Sequence, residues 1–489
     1  MEFTELADYS IPAGILTEWL PCAAEDAWRQ DPRPASYIHE AHLRRSADPR
    51  TGQGRESWLG TAFEIAGPLD PEVFGRALQR WIDRHEPLRS QATFASKGNP
   101  GSALIRRTAP PGKVAVRRVQ HDPADSATIR TLLHSLYDDY TTPQLWPAYV
   151  FATLTHESAH SHGESGGQSE RDADRAFTVF FGADHSIIDG YSIVLVAHEI
   201  TALYEEERTG RPADLFPVGS YIDFGASERA NASDLDVNHE AVRIWRTTLQ
   251  ESGGVIPEFP LPIGRRTTRT SPQARLSERW FDSEDATRFS ERCRDADAGF
   301  FSGVLACFAQ ATTDLTDAGH FRTVVPSHTR TGPMWAGSLG WFVGLRPIDL
   351  NLGGSPGFVT LASRSARELH RTRASARIPF DRVAELLGVP IRPRFLVSYM
   401  DVRFVPMAAQ WPETNARALR SRSYTHDVYV WINRTPEGIN VSARFPDNPE
   451  ATTNVPRFLE RVRLLMDRLN TSGPWAPDLE HAGLPATGQ

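Results

Sequence analysis

Lysine is almost missing from this chain. Lys97 and Lys113 are its only two, and arginine supplies the rest of the 53 basic residues. Acidic residues outnumber them at 61, are interleaved throughout, and leave a net charge of −8. That balance excludes the extended basic face a nucleic-acid binder needs; the arginines read as solvated surface residues of a GC-rich gene. Cysteine is also scarce. Cys22, Cys293 and Cys307 are odd in number and have no metal-ligand spacing, which argues against a disulfide framework or a zinc site and for a reducing compartment. The first 20 residues lack a basic start with a long apolar core, and no run approaches the ~18 apolar residues of a spanning helix. The expectation is a cytoplasmic protein with no transmembrane segment, no metal and no nucleic-acid partner. A hydrophobic content of 40% with 23% charge is that of an ordinary globular chain, and 489 residues are enough for two large lobes.

The chain alternates strand-like and helix-like segments, so the fold class expected is α/β (α+β). A turn at Arg208-Thr209-Gly210-Arg211-Pro212 and the stretch to Pro217 divide it into an N-terminal lobe, 1–217, and a C-terminal lobe, 218–489. The first 60 residues read as irregular, apart from a mixed segment at Ser36 to Leu43 and a strand beginning at Trp58. Asp70-Pro71 opens a helix, since Asp can cap and Pro suits the first turn, and Pro87 follows its end. Strands are expected at Ser90 to Phe94, Val114 to Val119, Trp146 to Thr155 and Ala176 to Phe181, with a helix at Ala127 to Tyr140. The polar stretch Glu157 to Arg175 reads as a hairpin insert whose His160 and His162 are solvated rather than metal-bound. Residues 251–275 read as linker, Ser283-Glu284-Asp285 as a helix cap, Arg322 to Pro326 as a buried strand, and Val428 to Phe445 as a hairpin around Asn433 to Gly438. Val455 to Leu469 reads as a terminal amphipathic helix, followed by a frayed tail.

One stretch organises the rest: Phe181-Gly182-Ala183-Asp184-His185-Ser186-Ile187-Ile188-Asp189-Gly190. A strand delivers the chain to His185, and Asp189-Gly190 turns it into an apolar helix from Tyr191 to Tyr204. A histidine on a turn at a strand end can meet substrate while a rigid scaffold holds it. Imidazole, with an ordinary pKa near ~6.5, suits removal of a proton at neutral pH. Asp189 has two readings: it orients that imidazole, or it is turned away and fixes the turn. Gly190 permits the tight turn, and its amide is a candidate oxyanion donor.

Several further segments occur in a set order. They are Arg84-His85-Glu86-Pro87-Leu88-Arg89, Asp184 through Gly190, Tyr221-Ile222-Asp223-Phe224, Val325 to Arg330, and Gly340-Trp341-Phe342-Val343-Gly344-Leu345. This ordered set resembles the condensation-domain superfamily of acyltransferases, marked by HHxxxDG. Ser398-Tyr399-Met400-Asp401 and Trp431-Ile432-Asn433-Arg434 resemble its polyketide-associated branch. The resemblance spans about residue 36 to residue 450. It implies two chloramphenicol-acetyltransferase-like lobes in a V, with the motif in a channel at their junction. It also implies His185 as the catalytic base and Asp189 paired with Arg330 as a structural ion pair. Asp184, Gly190, Trp341 and Gly344 are the candidates for the channel or oxyanion site, although a core tryptophan is the plainer account of Trp341. His85, Tyr221 and Asp223 are expected to be structural, the last two as contacts between lobes. One departure stands out: Asp184 replaces the first motif histidine. A carboxylate there would raise the pKa of His185 if close, and could select a polar acceptor.

Two serine motifs fail on mechanism. Gly353-Gly354-Ser355-Pro356-Gly357 has a proline where the hydrolase elbow needs an amide N–H, and Leu352-Gly353-Gly354-Ser355 lacks the helical setting of a carrier-protein serine. Three functions remain. The first is transfer of an acyl group from a coenzyme A or acyl-carrier-protein thioester to a hydroxyl of a sugar or polyketide-type acceptor. The second is amide formation from a carrier-bound donor and an amine, and the third is a non-catalytic condensation-like scaffold. Retention of His185 and Asp189 disfavours the scaffold, and the branch-specific segments favour the ester former. No bound cofactor is implied: acyl-CoA or a phosphopantetheine-linked acyl thioester enters as co-substrate, and the chain is expected to act as a monomer.

Overall fold

The structure is a computed structural model that describes residues 1–47, 58–96, 99–155, 176–266, 272–354, 356–389 and 392–471. In chain order its first elements are β1 (Glu2–Glu5), β2 (Ile15–Ala23), β3 (Arg29–Asp31), α1 (Tyr37–Ala47), β4 (Trp58–Ile65) and α2 (Pro71–Arg84). Then come β5 (Ser90–Phe94), β6 (Leu104–Thr108), β7 (Val114–Gln120), α3 (Ser126–Tyr140), β8 (Tyr149–Thr155) and β9 (Phe177–Asp184). They are followed by α4 (Gly190–Thr209), α5 (Tyr221–Ser233), α6 (Glu240–Glu251), β10 (Gln273–Asp282), α7 (Ser283–Asp295) and α8 (Phe300–Leu315). The chain continues through β11 (His320–His328), β12 (Val343–Asn351), α9 (Phe358–Arg371), α10 (Phe380–Leu387) and β13 (Phe395–Asp401). It ends with β14 (Arg417–Arg420), β15 (Val428–Thr435), β16 (Gly438–Pro446) and α11 (Pro449–Thr471). No described helix is long and apolar enough to cross a membrane.

The chain divides into two compact units. The first takes residues 1–235 together with 328–343 and 403–423; the second takes 236–327, 344–402 and the remainder from 424. A single cut at 217 does not describe this division, because the chain returns to the first unit twice. The later return supplies β14, which pairs in parallel with β1 and antiparallel with β4.

The first unit is built on a seven-stranded sheet ordered β1-β14-β4-β9-β8-β2-β7. β9 runs antiparallel to β4 and β8, and all eight of its residues are buried. Both faces are covered, which is why it reads as a continuous apolar run rather than an alternation. Phe177 and Phe181 meet Phe74 and Trp81 of α2, while Phe180 on the opposite face packs with Tyr9, Tyr137 and Leu133. Each such ring contributes roughly 1.5–3 kcal/mol by leaving water. Gly182 must lack a side chain, since a Cβ there would lie 2.9 Å from the Tyr137 ring.

The opening 60 residues are not irregular. β2 lies inside the sheet, between β8 and β7, and its Trp19 Nε1 donates to Thr153 Oγ1 at 3.0 Å. Glu18 and Pro21 break the apolar pattern that would have revealed it. The mixed segment from Ser36 to Leu43 is helical from Tyr37 onward, as the first part of α1. Asp70 does cap α2, accepting from the Glu72 and Val73 amides with Pro71 in the first turn. At α7, by contrast, the cap is Asp282, which accepts from Asp285 N; Ser283 is already helical.

The second unit holds a six-stranded sheet ordered β10-β16-β15-β13-β11-β12. Phe289, Phe308, Phe321, Phe395 and Phe458 fill the core it shares with α7, α8 and α11. β15 and β16 form the expected hairpin, with Thr435 opposite Gly438. Ser355, His160, His162, the insert around them and the tail beyond 471 lie outside the described residues.

Candidate functional site

β9 ends at Asp184, and α4 begins at Gly190 with Asp189 as its N-cap. Between them the chain turns, closed by Ile187 N donating to the Asp184 carbonyl at 3.2 Å. Asp184 reinforces the turn with its side chain, accepting from Ser186 N at 2.8 Å, the self-bonding for which Asp suits turns. His185 sits on that turn, half-buried, with Nδ1 fully enclosed. The indole of Trp341 lies flat against its imidazole, ring centroids 3.8 Å apart at 26°. Trp341 is therefore a neighbour of His185 and not a remote core residue.

Asp189 is turned into the protein. Its Oδ1 accepts from Ser192 N and Ser192 Oγ, both at 2.7 Å, and from Arg330 Nη2 at 3.0 Å. Its Oδ2 accepts from Phe342 N at 3.0 Å and from Arg330 Nη2 at 3.2 Å. None of these bonds goes to His185. Arg330 also donates through Nη1 to the Trp335 and Ser338 carbonyls, and its guanidinium lies over the Tyr191 and Phe342 rings. Burial opposes ionisation of Asp189, but Arg330 and the Ser192 and Phe342 donors outweigh it and hold the carboxyl below its usual range. The result ties the start of α4 to the 328–343 segment. Ser192 completes it, bonded to Arg330 Nη2 at 2.9 Å and to the Gly340 carbonyl at 3.2 Å. Ser192 was not singled out in the sequence; its place three residues behind Asp189 is the signal that could have found it, whereas its second partner, 148 positions away, had none.

Asp184 also looks inward. Its side chain is fully buried, and His42 Nε2 of α1 approaches both carboxylate oxygens, at 3.1 and 3.2 Å. The expectation that this carboxylate would raise the His185 pKa is only a minor part of the balance. Burial pushes the His185 imidazole down to about 4, and His42 adds to the fall; its own backbone, Asp184 and Asp189 pull weakly the other way. The imidazole is neutral at pH 7. No sequence pattern singled out His42.

The remaining residues are placed by packing. Gly190 is the first residue of α4. Gly344 belongs to the second unit, where a Cβ would meet the Ala376 carbonyl at 1.9 Å; close backbone approach accounts for the glycine there. His85 Nε2 bonds Glu199 at 2.6 Å, which also accepts from Trp81 Nε1. Tyr221 OH bonds Ser36 at 2.9 Å and Asp223 bonds Arg33 at 2.6 Å, so these partners lie within the first unit. Among the described residues no cluster of His, Cys, Asp and Glu could hold a metal ion.

Two histidines, His39 buried and His185 half-buried, make stability fall on acidification. His39 of α1 is pushed down to about 3 by burial, then by Arg106 and His42. Between pH ~6.5 and about 4 the unfolded chain binds protons at His39 and His185 that the folded chain does not, so each contributes up to about 1.4 kcal/mol of lost stability per pH unit. Urea unfolding midpoints should therefore drop from pH 6.5 to 4.5, and less steeply in His39→Gln; identical slopes would contradict this assignment.

Comparison with known proteins gives the family and the fold. The condensation-domain family model matches residues 170–420. Acyltransferase PapA3 of Mycobacterium tuberculosis is 27% identical over 483 residues, covering 96% of both chains. The 2'-acyl-2-O-sulfo-trehalose (hydroxy)phthioceranyltransferase PapA1 of the same organism is 27% identical, covering 97% of this chain and 89% of its own. The solved PapA2 acyl transferase superposes with a TM-score of 0.84 at 25% identity, over 96% of this chain and all of that one. The first condensation domain of the calcium-dependent antibiotic synthetase shares the fold, with a TM-score of 0.64 at 18% identity over 91% of this chain and 97% of its own. The chain belongs to the condensation-domain family and is an acyltransferase.

Proposed function

We propose that the chain moves an acyl group from a thioester, on coenzyme A or an acyl carrier protein, to a hydroxyl of a carbohydrate acceptor, with His185 as general base. The observation that carries this reading is a neutral imidazole on a turn whose Nδ1 is enclosed, so that Nε2 is the nitrogen assigned to meet the acceptor. Nε2 takes the proton of the acceptor O–H as the oxygen attacks the thioester carbon. The carbonyl electrons move onto oxygen, where the Gly190 amide is the proposed donor. Collapse breaks the C–S bond, and the imidazolium returns its proton to the departing thiolate. Ester and free thiol are the products, and no redox or metal chemistry is required.

The carbohydrate acceptor is inferred from relatives: PapA1 is named for acyl transfer on a sulfated trehalose, and PapA2 as a trehalose-2-sulfate acyltransferase. Purified protein incubated with an acyl-CoA, or with an acyl-carrier thioester, and with trehalose, trehalose 2-sulfate or an amino acid tests the reading. Mass spectrometry of a sugar ester together with released thiol is expected. An amide with no ester would instead support the peptide-forming alternative.

A further inference from the structure

The first histidine of HHxxxDG is absent from this motif, yet an imidazole is still there in space. It comes from His42, 142 positions upstream on α1, whose Nε2 sits 3.1 and 3.2 Å from the two oxygens of Asp184. The same ring meets the Trp341 indole edge-on, centroids 5.6 Å apart at 77°, and the face of that indole lies on His185. His42 thus touches His185 by two routes, through the residue before it in the chain and through the ring stacked on it. We propose that His42 is a positioning residue for His185: by gripping Asp184 and bracing Trp341 it holds the imidazole in place.

The proposal rests on the reading of His185 as the base. The charged and titratable groups around the pair are few. His185 feels His42, Asp184 and Asp189, the last already committed to Arg330. On the far side His39 stands near His42 and Asp184, with Arg106 beyond it. Of these, His42 is the group that favours the neutral imidazole, while both carboxylates favour its protonation. Removing the His42 ring takes these two contacts from the Asp184 carboxylate, leaves Trp341 without its edge-on neighbour, and opens a buried site to water. The first and the last of these changes move the His185 titration in one direction, upward.

Full-length protein carrying histidine labelled with 13C at Cε1 gives the test, with His185→Ala identifying the resonance. In the parent, the His185 signal should stay in its neutral form from pH 8 to below 6. In His42→Ala its midpoint should rise by about one pH unit or more. In His42→Gln, whose amide can still donate to Asp184, it should lie closer to the parent than to the alanine variant. Should His42→Ala fail to fold, His42→Asn, one carbon too short to reach the carboxylate, should show the same rise. A midpoint unchanged in alanine or asparagine, or one displaced as far by glutamine as by alanine, overturns the positioning role. Thiol release from octanoyl-CoA separates the two readings. If His185→Ala releases thiol at the parent rate, the base assignment fails. If His185→Ala is silent while the His42 variants titrate like the parent, only the role of His42 fails.

Discussion

His185→Ala should lower the rate of acyl transfer by about 10²- to 10⁴-fold, the range supplied by a positioned general base, and leave the melting temperature within a few degrees of the parent. The two halves of this expectation have different physical origins. Rate is lost because no other described side chain on the 184–190 turn can accept the acceptor's proton: Asp184 is held by His42 and Ser186, and Asp189 by Arg330, Ser192 and Phe342. Stability is kept because the ring removed is half-buried, neutral at pH 7 and joined to its surroundings by a stack on Trp341 rather than by a charged pair. The pH profile supplies an independent check. A base whose folded pKa is pushed down to about 4 keeps its lone pair as pH falls from 8 to 6, so kcat/KM should stay level over that span and fall only as pH approaches the lowered value. Alanine-variant turnover equal to the parent would defeat the assignment, and an acid limb centred near the ordinary histidine value of ~6.5 would show that burial does not control the base.

How much of this was legible beforehand differs by the kind of interaction. The turn was legible because it is local: Asp184 bonds Ser186, Asp189 caps α4, and β9 is mostly apolar and buried at every position because both its faces are covered. Asp70-Pro71 and the β15–β16 hairpin were readable for the same reason. β2 was hidden, since Glu18 and Pro21 disturb a pattern that only its pairing with β8 and β7 makes strand-like. The return of 403–423 to the first unit was hidden too, as no local signal says that Arg417–Arg420 will lie between β1 and β4. At the site, resemblance brought Asp189 and Arg330 to attention together, but nothing in the composition of α1 marked His42. Its role depends on a partner 142 residues away that is itself a departure from the motif.

Asp189→Ala and Arg330→Ala should each destabilise the protein by about 3–5 kcal/mol, the range for breaking one side of a buried pair, and should reduce turnover as well. Alanine at 189 leaves the Arg330 guanidinium, whose side chain is 7% exposed, without its counter-charge, and it strips the Ser192 and Phe342 amides of their acceptor. Alanine at 330 leaves a carboxylate that burial disfavours, supported only by neutral donors. Both changes loosen the start of α4, one residue from Gly190 and four from His185, so the base loses its fixed position and the rate falls with the fold. The double variant separates the pair from its parts. With both charges gone, no uncompensated ion remains buried, so its loss should be well short of the sum of the single losses, a coupling of about 0.5–3 kcal/mol. Denaturant unfolding of the four proteins at one pH measures this directly. Strict additivity, or single variants that melt with the parent, would show that Asp189 and Arg330 are neighbours without being partners, and the turn would then owe its shape to the Asp184 and Ser192 contacts alone.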